Sequence, residues 1–122
     1  MSFRDILADL LQSTRGAIGA AFLDSEGESV EVASARPFDT DDHDLRVIGA
    51  YGGIFLSNLR RIAGATGSGA SRRFKVDFAA STIFCSELGD GYYLVLVADA
   101  GAVEGVVWQQ LEQCRAALQA EM

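Results

Sequence analysis

Apolar residues recur at steps of three and four near the start of the chain, where Phe3, Ile6, Leu7, Leu10 and Leu11 form a stripe. That spacing is one side of an α-helix. Ser2 stands at an N-cap position and Gly16 where a C-cap glycine belongs, so a helix over 2–15 is predicted. The period then shortens. Residues 17–23 (AIGAAFL) and 29–35 (SVEVASA) are strand-like, and the DSEGE between them carries turn chemistry in Asp24, Ser25 and Gly27. The pair reads as a hairpin. Its first strand is crowded with small residues (Ala17, Gly19, Ala20, Ala21), which predicts a helix lying directly on it.

Pro37 ends the second strand and the polar run FDTDDHD follows. Asp39, Thr40, Asp41 or Asp42 would cap the next helix, whose acidic start and Arg60–Arg61 end suit the helix dipole. Its apolar stripe reads Leu45, Ile48, Tyr51, Phe55, Leu59 and Ile62, and GATGSGAS over 64–71 reads as a flexible connection. In RRFKVDFA, Phe74, Val76 and Phe78 alternate with Arg73, Lys75 and Asp77. STIFCSEL alternates less sharply, and GDG at 89–91 is a tight hairpin turn. YYLVLVAD is nearly all apolar, as expected of a central strand covered on both faces. A last helix over 103–120 carries Val103, Val107, Leu111, Cys114 and Leu118. The predicted order is α-β-β-α-β-β-β-α, a single α+β domain over 1–122 in which a five-stranded antiparallel sheet bears helices on its faces.

The middle helix contains Gly49, Gly52 and Gly53. Each glycine costs a helix interior roughly 1 kcal/mol against alanine, about 3 kcal/mol together. A close backbone approach offsets such a cost. With the stripe turned to the domain's own sheet, Gly49, Gly53, Leu56 and Arg60 form another face, with Gly52 at its edge. The expectation is that this face meets the same helix of a second copy across a two-fold axis; a tight crossing inside the monomer is the alternative. The strand after the helix reads as a sheet edge, and Arg73, Phe74 and Lys75 are assigned with it to a homodimer interface in which two edges pair.

Composition narrows the function. The chain of 122 residues is 49% apolar with a formal net charge of −7, which argues against nucleic acid or an anionic membrane as partner. No window has the length of a membrane span and the N-terminal helix lacks a signal peptide's apolar region, so a cytoplasmic location is expected. Cys85 and Cys114 have no metal-ligand spacing and read as small buried hydrophobes. GATGSGAS fits a phosphate-binding loop except that Ala70 replaces the lysine, and its helix-then-strand context is reversed. His43, the only histidine, has no nucleophile placed to use it, and the acids Asp39, Asp41, Asp42 and Asp44 lack the calcium-loop pattern. Asp24, Asp99, Glu87 and Asp90 read as turn residues. No catalytic, metal or cofactor site is expected.

In this order the elements resemble the roadblock/dynein light chain domain, a small module whose layout is profilin-like. The resemblance rests on the first helix ending in Gly16, GAIGAAFLDSEGESV with its D-x-x-G turn, the long middle helix, and LGDGYYLVLVAD followed by AGAVEGVVWQQL. The glycines of the middle helix and GATGSGAS are not marks of it. The resemblance implies a non-catalytic homodimer formed by middle helices and the strand after them. It also implies a scaffold or regulator of a small Ras-like GTPase; some bacterial members accelerate GTP hydrolysis by remodelling the GTPase, which supplies its own catalytic groups. Asn58 and Arg61, with His43 beside them, are the expected partner contacts; Trp108, beside the stripe of the last helix, is a further candidate, with a buried core position as its alternative. Rival readings are a small-ligand sensor with a cavity lined by Phe22, Phe84 or Tyr93, a scaffold indifferent to nucleotide, and a hydrolase using His43.

Overall fold

A computed structural model describes residues 1–35, 43–69 and 72–122. Helix α1 spans Phe3–Ser13, and the Ser2 hydroxyl oxygen accepts the Asp5 N–H at 3.1 Å. Strands β1 (Ala17–Leu23) and β2 (Ser29–Ser34) form the first hairpin. In its turn, Asp24 Oδ1 accepts the N–H groups of Glu26 and Glu28 at 2.9 and 3.0 Å, the local competition with backbone pairing that suits Asp to turns. Helix α2 (His43–Thr66) follows, then β3 (Arg73–Asp77), β4 (Thr82–Gly89), β5 (Tyr92–Ala98) and α3 (Glu104–Glu121). The order is the expected one.

All strand pairs are antiparallel and the sheet runs β2-β1-β5-β4-β3. β5 is central and β3 lies at an edge, as their patterns imply. Because side chains alternate along a strand, the sheet serves two cores. Ala20, Phe22, Phe84, Leu94 and Leu96 pack with the stripes of α1 and α3. Ala21, Leu23, Cys85, Tyr93 and Val95 pack on the opposite face, with Leu45 and Leu56 of α2. The small residues of β1 do admit a helix closely: a Cβ at Gly19 would lie 3.1 Å from a Leu45 methyl.

The expectations need two adjustments here. α2 extends through Thr66, whose hydroxyl donates to the Ile62 carbonyl at 2.8 Å, so Gly64 is helical rather than part of the connection. The second is the rotation of α2. Pro37, Asp39, Thr40, Asp41 and Asp42, the end of GATGSGAS at Ala70 and Ser71, and the His43 side chain lie outside the described residues.

Candidate self-association face

The side of α2 that meets the sheet holds Leu45, Gly49, Gly52 and Leu56, all buried, with Gly53 half-buried beside them. This is the face expected to meet a second copy. Tyr51, Phe55 and Ile62, expected to line the core, are instead 58%, 52% and 58% exposed. The internal crossing therefore describes Gly49, Gly52, Gly53 and Leu56, and they are not on an outward interface.

The cause is the size of the side chains below. Leu23 and Tyr93 rise from β1 and β5 into the space under the helix. A Cβ at position 49 would come within 2.7 Å of a Leu23 methyl, one at 52 within 3.3 Å of Val95, and one at 53 would fall on the Tyr93 hydroxyl. That hydroxyl donates to the Gly49 carbonyl at 3.0 Å. The bulk needed to fill this core comes from the strands, and the helix contributes its backbone. Burial, with a smaller contribution from Cys85, pushes the Tyr93 phenol up to about 12. Tyr93 and Leu23 alternate onto one face of their strands, so pairing large strand residues with a helix's small face is the signal in the sequence that identifies this crossing.

With its small face inward, α2 presents its large apolar side chains outward. Val47, Tyr51, Ile54, Phe55 and Ile62 are all exposed. Phe55 reaches the edge strand, its ring edge-on to Phe74 with centroids 6.0 Å apart. Phe74 and Val76 are half-buried on the same face of the sheet, and Phe78, just past β3, is 58% exposed. An apolar band thus runs from the outer face of α2 onto the open edge of the sheet. Contiguous exposed patches of this kind mark interaction sites far more often than scattered apolar residues do.

The other residues assigned to the interface divide between the two faces. Arg60 closes the inner side of α2 by an ion pair with Glu87 at 2.7 Å. Arg73 and Lys75 emerge on the far face, toward α3. The Arg73 guanidinium lies 4.3 Å above the Trp108 ring, and Lys75 Nζ meets Glu104 at 3.2 Å and Asp77 at 3.3 Å. Hydrogen bonds to Glu104 and Asp77 hold the Lys75 ammonium above its usual range; those from Thr82 and Lys75 hold the Asp77 carboxyl below its own. Asn58 and Arg61 stand exposed together on α2, Arg61 donating to Asn58 Oδ1 at 3.0 Å. Trp108 does not join them. It is half-buried on the opposite side of the sheet, edge-on to Phe84 at 5.1 Å, so the expected partner contacts form no single site.

Little else here invites chemistry. Among the described residues no group of three or more His, Cys, Asp and Glu side chains is placed to hold a metal ion, and no helix is long and apolar enough to cross a membrane. Cys85 and Cys114 are free and buried, and burial pushes both thiols up to about 12, far from the thiolate that reacts. Phe22, Phe84 and Tyr93, the expected lining of a ligand cavity, are packed into the two cores. A hollow of about 790 Å³ lies elsewhere, bordered by Arg72, Arg73, Arg115, Glu87 and Glu112, with Arg115 paired to Glu112 at 3.1 Å.

These buried acids have a consequence for stability. Tyr93, Cys85 and Cys114 ordinarily titrate at 10.0, 9.0 and 9.0, and each is pushed up to about 12 in the folded chain. The unfolded chain therefore loses these protons first. Their stabilisation is complete below pH 9 and is lost as pH rises from 9 to 12. Denaturant midpoints are expected to fall steadily across that window, and less steeply above pH 10 in Tyr93→Phe; a flat profile would contradict the burial of these groups.

No family model and no curated protein matches the chain. Solved structures do. A Roadblock/LC7 domain from Streptomyces avermitilis superposes with a TM-score of 0.84 at 19% identity, covering 95% of this chain and 93% of that one. The gliding protein MglB from Thermus thermophilus gives 0.81 at 21% identity over 93% and 83% of the two chains. MglC from Myxococcus xanthus gives 0.69 at 22% identity over the whole of both. From the two-layer packing of α2 on β5 to the edge position of β3, the chain has the roadblock/LC7 fold.

Proposed function

We propose that this chain is a cytoplasmic, non-catalytic homodimer that binds a small Ras-like GTPase and modulates its GTP hydrolysis. The observation that carries the self-association is the apolar band from Tyr51 and Phe55 to Phe74 and Phe78, which a monomer leaves in water. The GTPase partner rests on the resemblance to roadblock/dynein light chain domains, and the likeness to MglB and MglC is consistent with it. One MglB structure is described as having a tetrameric arrangement, so related folds do assemble. The homodimer face is the outer side of α2 together with β3. Asn58 and Arg61, exposed on α2, are the contacts this reading assigns to the GTPase.

A pull-down from source-cell lysate with the purified domain tests the partner. With a non-hydrolysable GTP analogue present, a Ras-sized protein is expected on the resin, and with GDP it is expected to be absent. Equal retention in both would replace the regulator by a scaffold indifferent to nucleotide. Retention in neither would return the question to a small-ligand sensor.

A further inference from the structure

The hollow beside α3 gathers positive charge in a chain whose formal net charge is −7. Arg72, Arg73 and Arg115 border it together with two acids, Glu87 and Glu112. Both acids already have a cation. Arg60 of α2 pairs with Glu87 at 2.7 Å, and Arg115 with Glu112 at 3.1 Å. Glu104, the acid beside Trp108, is engaged by Lys75 at 3.2 Å. Arg72 and Arg73 have no carboxylate partner among the described residues. Two positive charges therefore remain unanswered at one concavity.

The donors are also held in place. The Arg73 guanidinium lies 4.3 Å above the Trp108 ring, and stacking on an aromatic face leaves its in-plane N–H groups free to grip a pair of acceptor oxygens. Arg115 donates its Nε–H to the Glu87 carbonyl at 2.9 Å and a second N–H to Glu112, which fixes the group and leaves its other donors unused. Ser86 is the cross-strand neighbour of Arg73. Because Glu87 N–H donates to the Arg72 carbonyl at 2.9 Å, positions 73 and 86 form the non-hydrogen-bonded pair of the ladder, whose side chains stand closest. Ser86 is 5% exposed and lines the hollow, and its hydroxyl makes no hydrogen bond to the described residues. A buried hydroxyl without a partner is costly, and an acceptor oxygen bound in the hollow removes that cost.

We propose that this hollow binds a phosphate monoester, its dianion held by Arg73, Arg115 and Arg72 with the Ser86 hydroxyl on one of its oxygens. Phosphate fits the surplus charge better than carboxylate does. A phosphate monoester carries about −1.5 to −2 at pH 7 and offers three terminal oxygens, against a single charge on two oxygens for a carboxylate. At about 790 Å³ the hollow exceeds a phosphate and leaves room for the group that carries it, either a small molecule or a phosphorylated side chain of a bound protein. None of its lining residues belongs to the apolar band, so this site stands or falls apart from the homodimer.

Magnetic-resonance titrations of the nitrogen-15-labelled full chain at constant ionic strength test this. Inorganic phosphate should move the signals of Arg73 and Arg115 Nε–H and of the Ser86 and Gly89 amides to saturation, and chloride should not. Adenosine monophosphate and a phosphoserine peptide separate the two carriers, the source being the one that binds more tightly than inorganic phosphate. The same peptide with glutamate in place of phosphoserine should bind at least about ten-fold more weakly. Arg73→Gln and Ser86→Ala should weaken phosphate binding about ten-fold and about three-fold, with unchanged circular dichroism. Shifts no larger than those from chloride, or binding undiminished in both variants, would overturn the site. Equal binding of the glutamate peptide would replace phosphate by carboxylate. Neither carrier binding more tightly than inorganic phosphate would overturn the monoester.

Discussion

Gly53→Leu is expected to destabilise the fold rather than to split a dimer. A Cβ at 53 falls on the Tyr93 hydroxyl, so the larger side chain must push the helix from the sheet or turn the phenol out of its site. Overpacking a close-fitted core costs about 1–3 kcal/mol. Losing the bond from Tyr93 to the Gly49 carbonyl, with a polar group left buried, costs about 1–3 kcal/mol more. Against this stands a gain of under ~1 kcal/mol from replacing a helical glycine. The net loss of about 1–6 kcal/mol is a sizeable share of the ~5–15 kcal/mol that holds a domain folded. A milder variant isolates the cause. Gly53→Ala should cost about 1 kcal/mol more in the parent than in Tyr93→Phe, where the clashing oxygen is gone. Equal costs in the two backgrounds, measured by denaturant unfolding, would mean that the hydroxyl is not what the glycine makes room for.

The second large effect is the reverse: loss of assembly without loss of fold. Tyr51 and Phe55 are more than half exposed on the outer face of α2, so Tyr51→Glu or Phe55→Glu removes little from either core. Helical propensity barely changes. At a dimer interface the same change removes an aromatic anchor and places a carboxylate near its own copy across the axis. Central aromatic anchors carry ~2 kcal/mol or more each, so dissociation constants should rise by at least about thirty-fold. Sedimentation velocity across a dilution series should show monomer where the parent is dimer, with an unchanged circular dichroism spectrum. A variant that still sediments as a dimer would move the interface off this face.

Strand faces were legible because alternation is unambiguous when one side is polar. RRFKVDFA declares both its faces and its edge position, and the hairpin turns and the Ser2 cap announce themselves by residue type. The rotation of α2 was not legible from periodicity. That helix has two apolar sides, one of glycines with Leu45 and Leu56 and one of aromatics, and the period alone favours the larger residues for the core. Volume decides otherwise. Tyr93 and Leu23 already occupy the space beneath, and a helix carrying Tyr51 and Phe55 inward would overfill it. The contiguity of Phe55 with Phe74 joins residues distant in the chain, and so depends on where α2 crosses the sheet. Trp108, beside the stripe of α3, left partner contact and a core position both open in the sequence, and Phe84 and the Arg73 guanidinium occupy two sides of its ring.

The central claim is that the apolar band from α2 to the β3 edge is covered by a second copy of this chain. Sedimentation equilibrium of the unaltered chain, over concentrations from about a hundred nanomolar upward, tests it most directly. The account predicts a single species at twice the 13.0 kDa protomer mass through the micromolar range. A mass of 13.0 kDa at every concentration would contradict it.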